Sequence, residues 1–157
     1  MAGQGIRRKK GFSLLELVIV VVILGIIAAI AIPRMSRGSA GATDSAVASN
    51  LAVLRNAIDL FATEHDGTFP TAADIANQLT QYTDVAGVAQ ATKDTTHIYG
   101  PYLRKVPPVP VGPRKGSTGI AALDAPGVGW IYDDTEGTIK TNTTTEADVS
   151  GKLYSDY

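Results

Sequence analysis

Apolar and polar positions follow three different regimes along this chain. Leu17 to Ile32 is an unbroken apolar run of 16 residues without a charge. From Asp44 onward the pattern becomes periodic. Val47, Leu51, Leu54, Ile58 and Phe61 recur at steps of four, three, four and three, the narrow stripe of an amphipathic helix. Asn50, Arg55, Asn56, Asp59 and Thr63 occupy its other faces. These patterns predict one long helix from Phe12 to about His65, hydrophobic all round in its first half and amphipathic in its second. A break or bend is expected near Pro33 and near Gly38–Gly41, because proline removes a backbone donor and clashes with the preceding turn. Gly67 is the expected left-handed stop, with Pro70 soon after. The stripe covers barely two heptads, too few for a coiled coil.

Beyond the helix, residues 71–79 read as a short second helix capped by Thr71. Past residue 82 the chain is rich in Thr, Gly and Pro. Pro101, Pro107, Pro108, Pro110 and Pro113 forbid a helix interior or a central strand. That stretch is expected as an extended surface loop with its aromatics packed inward. Gly129-Trp130-Ile131-Tyr132 and Gly137-Thr138-Ile139-Lys140-Thr141-Asn142 flank Asp133-Asp134-Thr135-Glu136, a β-hairpin signal. An isolated hairpin is marginal in water, so a further strand is expected at 118–123 or 149–154. The predicted class is α+β: a long N-terminal helix packed on a small C-terminal antiparallel sheet with Pro/Gly-rich loops.

Composition narrows the chemistry. The 14 Lys+Arg against 15 Asp+Glu give a net charge of -1, so no basic excess points to nucleic acid. The absence of cysteine excludes disulfides, thiolate metal sites and cysteine nucleophiles. Two histidines, His65 and His97, do not suggest a multi-histidine centre. Gly116-Ser117-Thr118-Gly119 lacks the spacing and lysine of a phosphate-binding loop. Asp133, Asp134 and Glu136 lack an EF-hand pattern and read as solvated turn residues. No catalytic residue, metal or cofactor is expected.

Charge placement near the start is more informative. Arg7-Arg8-Lys9-Lys10 precede Gly11 and Phe12-Ser13-Leu14-Leu15-Glu16. Counted from Phe12 to Ile32, the apolar segment has 21 residues, or roughly 31 Å as a helix, matching a hydrocarbon core of about 30 Å. The basic cluster favours a cytoplasmic N-terminus. Glu16 is costly there, by about 2.5–3.5 kcal/mol at a bilayer centre and less near the interface, and no Lys or Arg stands between Phe12 and Ile32. Cutting after Gly11 would expose the α-amino group of Phe12, one helical turn before Glu16. That amine is able to pair within its own helix or with Glu16 of a neighbouring one. A cleaved secretory signal, with Ala28-Ala29-Ile30-Ala31 as a loose cut site, and a simple uncut anchor are the competing readings.

Basic residues, Gly11, Phe12-Ser13-Leu14-Leu15-Glu16 and a long apolar helix resemble the leader and N-terminal segment of type IV pilins and type II secretion pseudopilins. The resemblance covers about residues 7–37. It implies a leader at 1–11, a membrane-spanning and assembly helix at 12–35, an amphipathic continuation at 36–66 and a β-rich head at 67–157. It also implies cleavage between Gly11 and Phe12 by a prepilin peptidase, N-methylation of Phe12, an assembly role for Glu16 and a helix kink at Pro33. The product would have 146 residues, with 10 Lys+Arg against 15 Asp+Glu. The implied partners are copies of the chain, related pilin-like subunits, the peptidase and an inner-membrane assembly platform. The head would lie outside the cytoplasm, in a periplasmic or cell-surface filament. Phe69-Pro70-Thr71 and Tyr102-Leu103-Arg104-Lys105-Val106-Pro107 look similar to stretches of major pseudopilins, while Val109-Pro110-Val111-Gly112 departs from their pattern and their acidic calcium loop is not recognisable. A major-pseudopilin-like subunit is the first reading, a type IV pilin the second and an uncleaved membrane-anchored protein the third.

Overall fold

The computed structural model describes residues 11–157, without the side chains of residues 31–39. The chain divides into two units, with the boundary at Ser39 and Ala40. Helix α1 spans Leu14–Glu64. Helical backbone continues through Pro33 and Gly41 without interruption. The helix is therefore not broken there, and the Pro33 side chain, on which the expected kink turns, lies outside the described residues. Among the described residues no helix is long and apolar enough to cross a membrane. The described apolar side chains end at Ile30, short of the run's end at Ile32.

In the second unit all five stripe residues are buried, Val47, Leu51, Leu54, Ile58 and Phe61 at 0–1% exposure. Periodicity alone located this face. The helix terminates in a Schellman-type turn, where the Gly67 N–H donates to the Ala62 carbonyl at 2.8 Å. The left-handed residues there are Asp66 (φ 53) and Gly67 (φ 82), so the stop expected at Gly67 begins one residue earlier. His65 is buried at this end, its ring stacked on Phe61 at 3.8 Å. Its Nδ1 lies 2.7 Å from the Phe61 carbonyl, and its Nε2 lies 2.9 Å from the Asp84 carbonyl and 3.1 Å from the Thr83 hydroxyl. The imidazole ties the helix end to the next segment.

Helix α2 spans Ile75–Thr80 and is shorter than expected. Asp74, not Thr71, holds its N-cap position, and no side chain caps it. The Thr71 N–H instead donates to Gln78 Oε1 at 2.8 Å. Two short strands, β1 (Tyr82–Thr83) and β2 (Ala89–Gln90), pair antiparallel. The main sheet contains β3 (Gly119–Ala121), β4 (Val128–Asp133) and β5 (Thr138–Thr141), in the order β3-β4-β5.

The hairpin is β4–β5, with Trp130 opposite Thr141 and Tyr132 opposite Ile139. Gly137 takes φ 66 in its turn, and a side chain there would strike the Phe69 ring. The third strand is found within 118–123, but it runs parallel to β4, so the sheet is mixed rather than antiparallel. Parallel neighbours normally need a long crossover. Here β3 has only three residues, so residues 122–127 suffice to bring the chain back to the start of β4. Gly129 permits the backbone to close up there, since a Cβ would meet the Ser117 carbonyl at 2.4 Å. Residues 149–154 do not join this sheet. They form a local turn around Asp148, with an isolated bridge from Ala147 to Leu153.

The core lies between the α1 stripe and the inner face of the sheet, where Trp130, Tyr132 and Ile139 are 0–2% exposed. The Pro-rich loop contributes valines more than aromatics. Val106, Val109 and Val111 are buried, whereas Tyr99 and Tyr102 are half-buried. Proline carbonyls act as acceptors for the core's polar edges. Trp130 Nε1–H donates to Pro107, the Tyr132 hydroxyl to Pro70 and the Asn50 amide to Pro108. A buried indole N–H or phenol without such a partner would cost about 1–3 kcal/mol. The last residues clip the sheet to the helix. The Tyr154 hydroxyl donates to Asp44, and Arg55 donates to the carbonyls of Ile139 and Tyr157.

Two measurements probe this packing. Trp130→Ala removes the largest fully buried side chain and is expected to cost about 3–5 kcal/mol in a denaturant titration. The second concerns the clip. Burial and the bond to Asp44 push the Tyr154 hydroxyl up to about 12, and the bond to Asp148 does the same for Tyr157. Their folded values exceed the ordinary value of 10.0. Their contribution is therefore complete below that pH and is lost as pH rises through about 12. The melting temperature should fall across that window as tyrosinate absorbance grows. A Tyr154→Phe/Tyr157→Phe variant should show a shallower fall.

Candidate assembly and processing site

Gly11, Phe12 and Ser13 precede the first helical residue, and all three are exposed. Ser13 occupies the N-cap position. Its hydroxyl accepts the Leu15 N–H at 3.2 Å, and its carbonyl accepts the Leu17 N–H at 3.2 Å. The Glu16 carboxylate reaches back and accepts the Ser13 N–H at 2.9 Å. The Glu16 half is that of a capping box, while the Ser13 hydroxyl takes the N–H of the second helical residue rather than the third; together they satisfy two of the donors that a helix start leaves open. Carboxylate charge in the first turn also complements the helix dipole. Glu16 therefore has a partner in its own backbone, and charge pairing alone had left it without one. Sequence reasoning missed Ser13, although Ser13-Leu14-Leu15-Glu16 ahead of an apolar run is the signature of such a box.

The box begins a helix whose described apolar side chains are exposed through Ile30. From Phe12 to Ile30, the large hydrophobic side chains are 47–87% exposed. They surround the helix, as expected when every position is apolar. Fully burying one such side chain contributes about 1.5–3 kcal/mol. Even at half exposure their sum is on the order of 10–20 kcal/mol, too large to leave in water.

The predicted site residues fall as follows. Gly11 and Phe12 adjoin each other outside the helix, and Glu16 lies in its first turn. Pro33 lies within α1. The basic cluster Arg7–Lys10 is outside the described residues. In the head, Asp133 Oδ1 accepts the N–H groups of Thr135 and Glu136, and Asp134 accepts the N–H of Ala72. Among the described residues no group of three or more His, Asp or Glu side chains converges as a metal site. At another turn, Asp124 takes a bidentate contact from Arg114 and a bond from Asn142. The Arg114 contact above all holds its carboxyl below the usual range.

An apolar helix begun by a capping box, with a small mixed-sheet head on its amphipathic half, is the architecture of a pilin-like subunit. A family profile described as "Prokaryotic N-terminal methylation motif" matches residues 6–32. The type II secretion system core protein G of Vibrio cholerae is 30% identical over 111 residues, covering 68% of each chain. That of Aeromonas hydrophila is 29% identical over 106 residues, covering 68% of this chain and 70% of its own. A type IV major pilin protein of Myxococcus xanthus is 42% identical over 72 residues, covering 46% of this chain and 31% of its own. No solved structure gives a significant match. The chain belongs to the family of type II secretion system core protein G.

Loss of the cap should be measurable on its own. Ser13→Ala is expected to weaken the first helical turn by about 1 kcal/mol, seen as faster amide exchange at residues 15–17 in detergent micelles. Ser13→Thr should retain most of the protection.

Proposed function

We propose that this chain is a structural subunit of a pilus-like filament of a type II secretion system, processed after Gly11 and polymerised through the first half of α1. Membership of the core protein G family supports the filament role. The observation that carries the mechanism is the exposed apolar surface from Phe12 to Ile30. In the cytoplasmic membrane, lipid covers that surface and the head faces away from the cytoplasm. In the filament, helices of other copies and of related subunits cover it instead. Extraction from lipid is offset by burial of the same side chains against one another.

Prepilin peptidase cuts between Gly11 and Phe12, where the backbone has not yet become helical, and methylates Phe12. Cleavage removes Arg7–Lys10 and leaves an α-ammonium one residue before Ser13. The Glu16 carboxylate, already turned toward the Ser13 N–H, is placed to pair with that ammonium as well. Neutralising Glu16 in this way lowers its cost in apolar surroundings. Pro33 serves as a point where the helix yields during assembly. An inner-membrane platform supplies the new subunits. A type IV pilin role is the second reading, supported by the Myxococcus xanthus relative over its shorter match.

Intact-mass spectrometry of the membrane fraction tests the processing. The expected species lacks residues 1–11 and carries one added methyl group; a chain starting at Met1 would overturn the reading. Glu16→Ala should insert in the membrane normally but assemble at least about tenfold less filament by electron microscopy, the loss that about 1.4 kcal/mol would produce.

A further inference from the structure

Charged groups in the head are few, and most lack an internal counter-ion. Among the described residues Arg114 and Asp124 form an ion pair, and His97 Nδ1 lies 3.0 Å from Asp94. Two groups of exposed charges stand at opposite ends of β4. Arg104 and Lys105 are exposed and line an open groove with Thr118 and Gly119, where β3 begins. Lys115 is exposed in the turn that enters the same strand, a turn closed by the Ser117 N–H on the Arg114 carbonyl. Because Gly119 pairs with Val128, this basic corner is also the start of β4.

The far end of β4 is acidic. Asp133, Asp134 and Glu136 are exposed in the hairpin turn. Asp59 of α1 shares a groove with Glu136. Asp156 joins Asp133 and Asp134 around an open groove of about 570 Å³. Arg55 and Lys140 are the bases nearby, and Arg55 is already donated to the carbonyls of Ile139 and Tyr157. The six residues of β4 separate the two corners by roughly 17 Å. That is about two Debye lengths at physiological salt, so within one head the corners barely attract each other.

We infer that the basic corner of one copy, Arg104, Lys105 and Lys115, docks against the acidic corner of the next, Asp59, Asp133, Glu136 and Asp156. The inference rests on the filament reading and specifies which faces of the heads meet. The two corners flank opposite ends of β4, so a head-to-tail contact brings the basic corner of one copy to the acidic corner of the next and repeats in one direction, as a filament requires. An anionic lipid surface would satisfy the basic corner and leave the acidic corner unmatched. Such rim charges set register and association rate, while the apolar helices supply most of the affinity.

The test uses the full-length chain, processed in the membrane, with two charge-reversed variants: Arg104→Glu/Lys105→Glu and Asp59→Lys/Glu136→Lys. All four side chains are exposed and make no hydrogen bond within the head, so folding should be unchanged by circular dichroism. Each variant alone should nucleate filaments about tenfold more slowly at low salt, with the difference vanishing at high salt. An equimolar mixture of the two should recover the wild-type rate, because acidic and basic corners then alternate between copies. Wild-type rates for both single variants, or a mixture no faster than its components, would overturn the contact while leaving the filament reading intact. Loss of binding to phosphatidylglycerol vesicles by the first variant, with assembly unchanged, would assign the basic corner to lipid and also overturn it. A wild-type chain that forms no filament would overturn the filament reading and this contact together.

Discussion

One helix must satisfy two surroundings, and the rest of the molecule is arranged around that demand. From Leu14 to Ile30 every face of α1 is apolar and exposed. From Val47 to Phe61 only one stripe is apolar, and it is fully covered. The second half resolves its stripe within the chain by carrying a sheet and a valine-rich loop. The first half has no such option. A burial deficit on the order of 10–20 kcal/mol is comparable with the whole stability of a small domain. In the proposed filament role that apolar surface is covered from outside, first by lipid and then by other copies.

Glu16 shows how that helix tolerates a charge near its start. Its carboxylate accepts the Ser13 N–H at 2.9 Å, so the helix backbone itself supplies a hydrogen-bond partner. In the proposed processed chain, the same carboxylate serves the ammonium of Phe12, one residue before Ser13. A helix start is a favourable place for both interactions, since it presents unsatisfied N–H groups and the positive end of the dipole. One acidic residue thus combines local capping with the proposed pairing.

The head is small, and its polar edges are settled by unusual acceptors. Prolines cannot donate, yet the carbonyls of Pro70, Pro107 and Pro108 take the Tyr132, Trp130 and Asn50 donors. This lets a segment that cannot enter a sheet still close the core over the sheet. The C-terminal clip at Asp44 and Arg55 does the same at the helix. Some exposed charges are left over from this arrangement, among them a basic group near the start of β4 and an acidic group beyond its end.

Local signals determined much of this protein. A step of three and four residues placed the buried stripe, because side-chain direction in a helix follows from its 3.6-residue turn. The alternating runs around Asp133–Glu136 placed the hairpin, and the residues around Gly11–Glu16 placed the start of the helix. Ser13 was equally legible, through its three-residue spacing to Glu16. Other features were decided only when distant segments met. The parallel pairing of β3 with β4 depends on a backbone approach at Gly129 that no periodicity encodes. The inward turn of Val106, Val109 and Val111, the burial of His65 against Thr83 and Asp84, and the shift of the α2 cap from Thr71 to Asp74 arise likewise. Periodicity reports which face of an element seeks cover; which element supplies that cover is settled by packing volume and by the acceptors within reach.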